Sequence, residues 1–340
     1  MLQAPHIILL IGGTGTWGQA ATRFFLDHTQ ATIRIFSRGE TLQHDMRERF
    51  ANDPRLRFLI GDVRSQTRLE EAMQGVDLVF HAAALKQVPS GEYNIGEVLR
   101  TNILGTENVV RAARQRYVKK VVFLSTDKAV AAINSYGVSK AFSERVIIQA
   151  NGYDPHGTEY LCVRYGNVWQ SRGSVGLLWQ TALHEGRPLT VTDLGMTRFF
   201  ITAQEAVETA WFAAQYAPRG TVIIPHIPAY SMRDLCQAVC EEASMAMCEL
   251  VHIGVRPGEK YHESLLGIEE CARVAMYVNE AGVIYYCVEP AQPSWSMPLM
   301  PEWPCASQGQ WERCRVSAYH SETWPVRLGV EELRRRLRIL

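Results

Sequence analysis

Five polar residues near the middle of the chain have the types and spacing of an acid–base site. Thr126, Asp127 and Lys128 are consecutive, and Tyr136 and Lys140 follow a few residues later. On a helix, residues four apart lie on nearly the same face, one turn from each other. A Lys ammonium beside a Tyr hydroxyl favours the phenolate, which accepts a proton near neutral pH. The added hydroxyl, carboxylate and amine indicate a reaction with more than one proton transfer.

A buried strand has to deliver these side chains to a common edge. Residues 121–124 are apolar and end directly before Ser125, and they form the fifth of six predicted strands that alternate with helical segments. This alternation predicts an α/β fold with a Rossmann-type, doubly wound parallel sheet. Ligands of such sheets bind at the carboxyl ends of the strands, which is where the five polar residues lie.

The first strand, residues 6–11, leads into a glycine-rich turn and then into a helical pattern. A strand, a glycine turn and a helix start form a dinucleotide-binding unit, in which backbone N–H groups and the helix dipole face a pyrophosphate. The Gly-x-x-Gly-x-x-Gly spacing resembles that of the short-chain dehydrogenase/reductase superfamily. The turn residues predicted to bind the cofactor are Gly12, Thr14, Gly15, Thr16, Trp17 and Gly18.

The ends of the next three strands predict the rest of the cofactor site. Ser37 and Arg38 end the second strand, where an acidic residue is typical of NAD sites and an Arg accommodates a 2′-phosphate, so NADP is the predicted cofactor. Asp62 and Val63 follow the third strand, where the carboxylate is placed to bind the adenine amino group. After the fourth strand, the small side chains of Ala82 and Ala83 let the backbone approach a cofactor closely.

Composition excludes several classes of function. The 340 residues carry 35 basic and 35 acidic side chains, so the chain has no excess of positive charge that would indicate binding to nucleic acid. It also has no polybasic segment that would indicate binding to a membrane. No apolar run approaches the length of a membrane span, and no signal peptide precedes the first strand. The eight cysteines include no C-x-x-C pair. We therefore expect reduced thiols, no metal site and a cytoplasmic protein.

Taken together, the motifs identify a resemblance that covers nearly the whole chain. The chain resembles the inverting UDP-N-acetylglucosamine 4,6-dehydratases, which are extended short-chain dehydrogenases that begin the route to pseudaminic acid and related sugars. The Thr126-Asp127-Lys128 triplet is the specific part, because related dehydratases that retain the C5 configuration carry Thr-Asp-Glu there. The segments that carry the resemblance are 12–18, 84–89, 125–130, 164–168, 171–175, 196–202, 256–260, 319–324 and 329–333.

The resemblance implies a mechanism for C5-inverting 4,6-dehydration. Tyr136 would remove the 4-hydroxyl proton while hydride passes from C4 to NADP, with Thr126 hydrogen-bonded to the C4 oxygen. Lys140 would bind the nicotinamide ribose and lower the pKa of Tyr136. Asp127, kept neutral by burial, would protonate the departing 6-hydroxyl. Lys128 would handle the C5 proton and return it to the opposite face. Because Asp127 and Lys128 are adjacent, they titrate as a coupled pair.

The resemblance also implies a UDP-sugar pocket, a division into domains and a homo-oligomer, either a dimer or a hexamer. The nucleotide-binding domain would comprise residues 1–166 and about 201–227, and the smaller, interleaved substrate domain 167–200 and 228–340. Arginines suit a diphosphate because their planar forks bind two oxygens at once. The implied substrate-binding residues are Lys86, Asn167, Arg172, Arg198, Arg256 and Glu259. Further implied cofactor-binding residues are Lys86, Asn102, Tyr136 and Lys140.

The chain departs from these relatives at four places, one of which is Trp17, a bulky residue in a turn that usually carries Ser-Phe or similar there. Ala131 and Ala132 replace a usual Asn-Pro, Leu42 stands where relatives commonly carry a Lys near the cofactor phosphate, and residues 292–310 have no clear counterpart. Two other functions therefore remain open. One is a UDP-hexosamine 4-epimerase or 4-ketoreductase that uses Tyr136 and Lys140 without the Asp–Lys pair. The other is a non-catalytic NADP-sensing or scaffold protein, against which the intact polar residues argue.

Overall fold

A computed structural model describes residues 4–153, 157–243, 249–291, 312–314, 316 and 319–338. The segment 292–310, which has no counterpart in the relatives considered above, lies outside these residues. The strands are β1 (Ile7–Ile11), β2 (Thr32–Ser37), β3 (Leu56–Ile60), β4 (Leu78–His81), β5 (Lys120–Leu124), β6 (Glu159–Val163), β7 (Asn167–Val168), β8 (Leu189–Val191), β9 (Thr197–Ile201), β10 (Val222–Pro225), β11 (Ala229–Ser231), β12 (Leu250–His252), β13 (Ser264–Leu266), β14 (Val274–Val278), β15 (Ile284–Val288), β16 (Glu312–Arg313) and β17 (Tyr319–His320).

The helices pack on both faces of the large sheet and within the smaller C-terminal part. Two short 3-10 turns, Asp127–Ala129 and Ile268–Arg273, and one π-helical segment, Leu99–Leu104, accompany them. The α-helices are α1 (Thr16–His28), α2 (Glu40–Arg49), α3 (Gln66–Ala72), α4 (Val88–Tyr93), α5 (Ile95–Val98), α6 (Gly105–Gln115), α7 (Ser135–Tyr153), α8 (Val175–His184), α9 (Ala203–Tyr216), α10 (Met232–Glu242) and α11 (Val330–Arg338).

Seven parallel strands form the nucleotide-binding sheet, in the order β3-β2-β1-β4-β5-β6-β10. The order reverses direction between β1 and β4, so a crevice opens there at the carboxyl ends of the strands. The central strands are buried on both faces, which explains their nearly continuous apolar sequences. The predicted Rossmann-type doubly wound fold is confirmed.

The sheet continues beyond the predicted strands. β15 pairs antiparallel with β10, β14 with β15, and β16 with β14. The expected division assigned residues 228–340 to the sugar-binding part, whereas these three strands extend the nucleotide-binding sheet. A second, smaller core lies around Trp179, Phe200 and Leu235 and joins α8, α10 and α11 to β9. The C-terminal part is therefore divided between the large sheet and this smaller core.

The expectation that all the cysteines are reduced is wrong at Cys240, which is disulfide-bonded. Disulfide formation depends on two Cβ atoms approaching in the folded chain, which spacing along the sequence does not reveal. The remaining cysteines of the described segments are free thiols, at positions Cys162, Cys236, Cys271, Cys287 and Cys314. None of the helices in the described segments combines the length and apolarity that crossing a membrane requires.

Candidate active site

A cleft of about 990 Å³ runs along the carboxyl ends of the parallel strands, from the glycine turn to the segment 256–263. It brings together residues from the nucleotide-binding sheet and from the smaller C-terminal part. All the predicted site residues line it except Asp127 and Asn102. Those that do are Gly12, Thr14, Gly15, Thr16, Trp17, Gly18, Ser37, Arg38, Asp62, Val63, Ala82, Ala83, Lys86, Thr126, Lys128, Tyr136, Lys140, Asn167, Arg172, Arg198, Arg256 and Glu259.

The glycine turn fits the pyrophosphate of a dinucleotide. Gly12 has a φ of +82°, and a Cβ there would lie 2.8 Å from the backbone nitrogen of Ala83. A Cβ on Gly18 would lie 2.3 Å from the carbonyl oxygen of Gly13. α1 begins with Gly15 as its N-cap and without a side-chain cap, so the N–H groups of its first turn face the cleft. These groups and the helix dipole favour an anion at this point.

Deeper in the cleft, Ser125 supports the same conclusion. Its Oγ is buried, and within the described segments it has no hydrogen-bond partner. A buried hydroxyl without a partner is costly, so a bound polar group is expected beside it. The residues present therefore fit a nicotinamide cofactor.

Arg38 and Asp62 line the cleft beyond the ends of the second and third strands. Arg38 Nη1 lies 3.8 Å from Asp62 Oδ2, and Arg64 Nη2 lies 2.6 Å from the same oxygen. Arg38 is more than half exposed at the rim, which leaves its guanidinium accessible to a phosphate. Leu42 lines the same rim and contributes no charge.

Asn102 does not line the cleft, although it was predicted to bind the cofactor. It is buried, its Oδ1 accepts from the Leu85 backbone, and its Nδ2 donates to the Leu85 carbonyl oxygen and to Ser139 Oγ. The amide thus joins the loop after β4 to α7. Asn102 belongs to the π-helical segment Leu99–Leu104, which lies between α5 and α6.

The predicted acid–base residues meet at the end of β5. Thr126 caps the 3-10 turn Asp127–Ala129 and donates from Oγ1 to Asp127 Oδ1 at 2.9 Å. Lys128 Nζ lies 3.1 Å from Asp127 Oδ1 and 3.5 Å from Asn167 Oδ1. Asp127 is fully buried, and burial raises the pKa of its carboxyl group. A carboxyl group in this environment retains a proton to higher pH than an exposed one.

The electrostatics of Tyr136 differ from the expectation based on spacing. Burial raises the pKa of Tyr136 to about 12, and the charge that opposes this increase most is Lys128, not Lys140. A hydrogen bond with the Thr126 side chain also lowers the pKa of Tyr136. Lys140 Nζ donates to the carbonyl oxygen of Leu124, and burial lowers the pKa of Lys140 to about 7. The spacing correctly placed Tyr136 and Lys140 in one cleft but did not identify the controlling charge.

Two charged residues in the site were not predicted as members of it. Glu263 Oε1 lies 3.1 Å from Lys128 Nζ, and Glu263 Oε2 lies 3.6 Å from Lys260 Nζ. Lys260 also donates to the Val130 carbonyl oxygen. The motif 256–260 was the available sequence signal for this segment. Nothing local indicated that the residues following it return to the end of β5.

The predicted substrate-binding arginines occupy different parts of the cleft. Arg172 lies over the glycine turn, with its backbone N–H donating to Thr16 Oγ1 and its Nη2 to the Thr14 carbonyl oxygen. Arg198 is buried, and its Nη2 lies 3.1 Å from Glu259 Oε1. Arg172 is therefore near the expected cofactor pyrophosphate, whereas Arg198 is near the acid–base residues.

Two further cationic residues, Lys86 and Arg256, also line the cleft. Lys86 Nζ donates to Ser171 Oγ at 3.3 Å. Burial, and then the charges of Lys128 and Arg172, lower the pKa of Lys86. Such a concentration of cations favours an anionic ligand such as a diphosphate.

Comparison with known proteins gives concordant results. Residues 8–282 match the model of the family described as "Polysaccharide biosynthesis protein". The UDP-glucose 4-epimerase of Rickettsia rickettsii (strain Sheila Smith) is 43% identical over 271 residues, which cover 78% of this chain and 79% of that protein. The X-ray structure of Pen from Bacillus thuringiensis superposes with a TM-score of 0.87 at 34% identity and covers 100% of both chains.

More distant structures share the fold alone. The dTDP-glucose 4,6-dehydratase DesIV from Streptomyces venezuelae, with NAD and TYD bound, is 22% identical with a TM-score of 0.68, covering 75% of this chain and 86% of that one. The UDP-glucose 4-epimerase of Thermus thermophilus, in complex with NAD, is 22% identical with a TM-score of 0.64, covering 74% and 88%. Dehydratases and epimerases thus share this architecture, and the side chains in the cleft have to distinguish them.

Proposed function

The chain belongs to the polysaccharide biosynthesis protein family, and we propose that it catalyses the C5-inverting 4,6-dehydration of UDP-N-acetylglucosamine. The product is a UDP-2-acetamido-2,6-dideoxy-hexos-4-ulose. One observation carries this proposal: a buried carboxyl group and an ammonium group, Asp127 and Lys128, lie 3.1 Å apart beside Tyr136. Oxidation at C4 requires only Tyr136 and a cofactor, whereas loss of water from C5 and C6 requires a further acid and a further proton carrier.

In the oxidation step, Tyr136 takes the proton from the 4-hydroxyl group. The charge of Lys128 and the hydrogen bond with Thr126 both lower the pKa of Tyr136 against the effect of burial. When bound, a nicotinamide cofactor supplies the hydride acceptor and donor that the two redox steps require. The glycine turn, Arg172 and Lys140 would hold it, and Arg38 at the rim favours NADP by accommodating the 2′-phosphate.

In the elimination step, the 4-ketone acidifies the C5–H bond, and the C6–O bond breaks as its oxygen is protonated. Asp127 supplies that proton, because burial keeps its carboxyl group neutral to a higher pH. The Asp127 carboxylate left by this donation takes the C5 proton, and the Lys128 ammonium then supplies the proton that C5 regains. The two carboxylates beside its amine raise its pKa, so the ammonium form is available to protonate C5 from the opposite face.

The proton balance over one turnover gives Thr126 a second role. Tyr136 gains the proton of the 4-hydroxyl group, Asp127 gives one to the departing water and regains one from C5, and Lys128 gives one to C5. One proton therefore has to pass from Tyr136 to the Asp127–Lys128 pair. The Thr126 hydroxyl group donates to Asp127 Oδ1 and is hydrogen-bonded with Tyr136. It therefore lies on the path that returns Tyr136 and the Asp127–Lys128 pair to their starting states.

The proposed substrate fits the distribution of charge in the cleft. The diphosphate would lie against the cations that line it, and the sugar would extend from there toward Thr126 and Tyr136. Asn167, which contacts Lys128, would approach the sugar ring. The cations available for the diphosphate are Lys86, Arg172, Arg198 and Arg256.

Proton NMR of a reaction in deuterated water tests this proposal. The protein is incubated with NADP and UDP-N-acetylglucosamine, and a 6-deoxy-4-keto product with deuterium at C5 is expected. In a parallel sample in ordinary water, nuclear Overhauser contacts of the C5 proton report whether the configuration is inverted. UDP-N-acetylgalactosamine formed without any methyl resonance would refute dehydration.

A second candidate function is UDP-sugar 4-epimerisation, which the name of the Rickettsia relative favours. An epimerase uses the Tyr136 step but does not eliminate water. The buried Asp127–Lys128 pair would then have no proton-transfer role. Incubation with UDP-glucose and UDP-N-acetylglucosamine in separate samples distinguishes the two functions, because only dehydration creates a methyl group.

A further inference from the structure

Glu263 is a buried carboxylate at the acid–base site to which the steps above assign no role. Only 1% of its surface is exposed. Its backbone is fixed on both sides, since its N–H donates to Ser321 Oγ and its carbonyl oxygen accepts from the Ser321 N–H. The carboxylate therefore points from a fixed backbone into the cleft, between two ammonium groups.

The contacts of Lys128 show what this carboxylate adds. Lys128 Nζ lies 3.1 Å from Asp127 Oδ1 and 3.1 Å from Glu263 Oε1. The dehydration mechanism requires Asp127 to be a neutral acid, and a neutral carboxyl group cannot balance a buried ammonium. Without another anion, protonation of Asp127 would leave Lys128 as an uncompensated buried charge. Glu263 is the anion that remains.

We propose that Glu263 is a positioning residue for dehydration, one that keeps the Lys128 ammonium charged and directed into the cleft while Asp127 carries its own proton. The adjacent Asp–Lys pair can then act as two separate proton donors in one turnover. This inference rests on the proposed dehydratase function and deepens it by assigning a role to a residue of the C-terminal segment.

The surroundings of Asp127 and Glu263 shift the pKa values of their carboxyl groups in opposite directions, as the two proposed roles require. Burial acts to raise the pKa of both. At Glu263 the charges of Lys128, Arg198 and Lys260 outweigh burial, and the pKa is lowered. At Asp127 burial prevails, and the pKa is raised. When environments separate the pKa values of two acids in this way, one serves as the acid and the other remains an anion.

The Lys128 ammonium responds to both carboxylates. Burial disfavours its charge, but Asp127 and Glu263 outweigh burial and raise the pKa of Lys128. Removing the negative charge of Glu263 therefore lowers the pKa of Lys128, and the ammonium is lost at a lower pH. The titratable and charged groups that face this pair are Lys86, Asp127, Tyr136, Arg198, Tyr230 and Lys260.

The decisive variant is Glu263→Gln, which keeps the shape of the side chain and removes its charge. Its kcat for the methyl-containing product is expected to fall about 10- to 100-fold, as when a positioning contact is removed. Cofactor reduction on adding substrate, followed by the absorbance of reduced nicotinamide, is expected to change by less than about twofold. Reduced cofactor therefore accumulates. The part of the kcat profile that falls as pH rises moves to lower pH.

Two further variants make the test specific. Glu263→Asp keeps the charge, so its pH profile is expected to remain at the wild-type position even though kcat falls. Glu270→Gln removes a carboxylate of the same segment, one that pairs with Arg164 at 2.8 Å outside the cleft. It is expected to lower thermal stability and to leave both the pH profile and the level of reduced cofactor unchanged.

The results separate this inference from the function on which it depends. If the wild type forms no methyl-containing product, the dehydratase proposal fails, and the role of Glu263 fails with it. If the wild type forms the product but Glu263→Gln keeps the wild-type kcat and pH profile, only the role of Glu263 is overturned. Should Glu263→Gln not fold, Glu263→Asp decides the question, because unchanged kcat without accumulation of reduced cofactor would overturn the role equally.

Discussion

Lys140 donates from Nζ to the carbonyl oxygen of Leu124, the last residue of β5. The same ammonium lies 3.9 Å from the centre of the Phe123 ring. Lys140 is thus anchored to the strand that delivers the acid–base site, even before a cofactor ribose is considered. Because these neighbours provide no full negative charge, burial lowers the pKa of Lys140 to about 7.

The low pKa of Lys140 predicts a specific pH dependence of stability without cofactor. An exposed lysine has a pKa of about 10.5, so between about pH 7 and 10.5 the unfolded chain binds more protons than the folded protein. The cost of burying the ammonium is complete below about pH 7 and disappears as pH rises through this window. The stability of the wild type relative to Lys140→Met is expected to rise by up to about 1.4 kcal/mol per pH unit.

Urea unfolding of the two proteins across this pH range provides the measurement. Lys119→Met is a suitable control for loss of a lysine charge, since Lys119 is half exposed and lies 2.8 Å from Asp77 outside the cleft. Parallel stability curves for wild type and Lys140→Met would mean that Lys140 stays charged in the folded protein.

Lys128 is expected to control the oxidation step as well as the elimination step. Its charge is the largest of the influences that lower the pKa of Tyr136. Lys128→Met therefore raises the pKa of Tyr136 and moves the rising part of the pH profile for cofactor reduction to higher pH. At neutral pH, cofactor reduction is expected to slow about tenfold for each unit of the shift. Methyl-containing product is expected to disappear while cofactor binding persists.

Rapid-mixing absorbance across a pH series measures this effect. Lys86→Met serves as the control, because Lys86 lines the cleft without contributing to the pKa of Tyr136. An unchanged profile in Lys128→Met would return the control of Tyr136 to Lys140, as the sequence spacing first suggested.

The sequence alone was sufficient to predict many of the strand-end residues that line the cleft. The glycine turn, Ser37 and Asp62 were each predicted from their positions at strand ends, because the strands are short apolar runs and the residues following them are polar or small. Strand ends of a parallel sheet meet at one edge, so local patterns were enough to assemble this half of the cleft.

The acid–base half could be predicted only in part. Thr126, Asp127 and Lys128 follow β5 directly and were found, whereas Lys260 and Glu263 reach the site through tertiary folding that no local pattern encodes. Asn102 was predicted to bind the cofactor but does not line the cleft, because its amide lies in a π-helical segment and pairs with the Leu85 backbone. Spacing indicates which face a residue shares, not which neighbour occupies the space beside it.

Arg38 and Leu42 lead to a prediction about cofactor choice. Arg38→Ala is expected to weaken NADP⁺ binding about 10- to 100-fold, the equivalent of one hydrogen-bonded charge pair, and to leave NAD⁺ binding nearly unchanged. Leu42→Lys adds a cation at the same rim and is expected to strengthen NADP⁺ binding about fivefold. Quenching of Trp17 fluorescence offers a readout, because its side chain borders the cleft.

Arg64→Ala is the matched control for Arg38→Ala. Arg64 contacts the same Asp62 oxygen but does not line the cleft. Equal losses of NADP⁺ and NAD⁺ affinity in Arg38→Ala would show that Arg38 supports the cleft without recognising the 2′-phosphate.

Ala131 occupies a backbone conformation that suits a different residue. Its φ is +43°, in the left-handed region where a Cβ is unfavourable by about 1–2 kcal/mol, and it directly follows Val130, whose carbonyl oxygen accepts from Lys260. Ala131→Gly is expected to increase the free energy of unfolding by about 0.5–1 kcal/mol, since relief of strain exceeds the added chain entropy of the unfolded state. Ala131→Asn is expected to give a smaller increase, because Asn tolerates this region better than Ala.

Ala132 is the internal control: it has no positive φ, so Ala132→Gly is expected to lower stability by about 0.4–1 kcal/mol. Chemical denaturation of the three variants measures these differences, and a loss of stability in Ala131→Gly would contradict the left-handed conformation at this position.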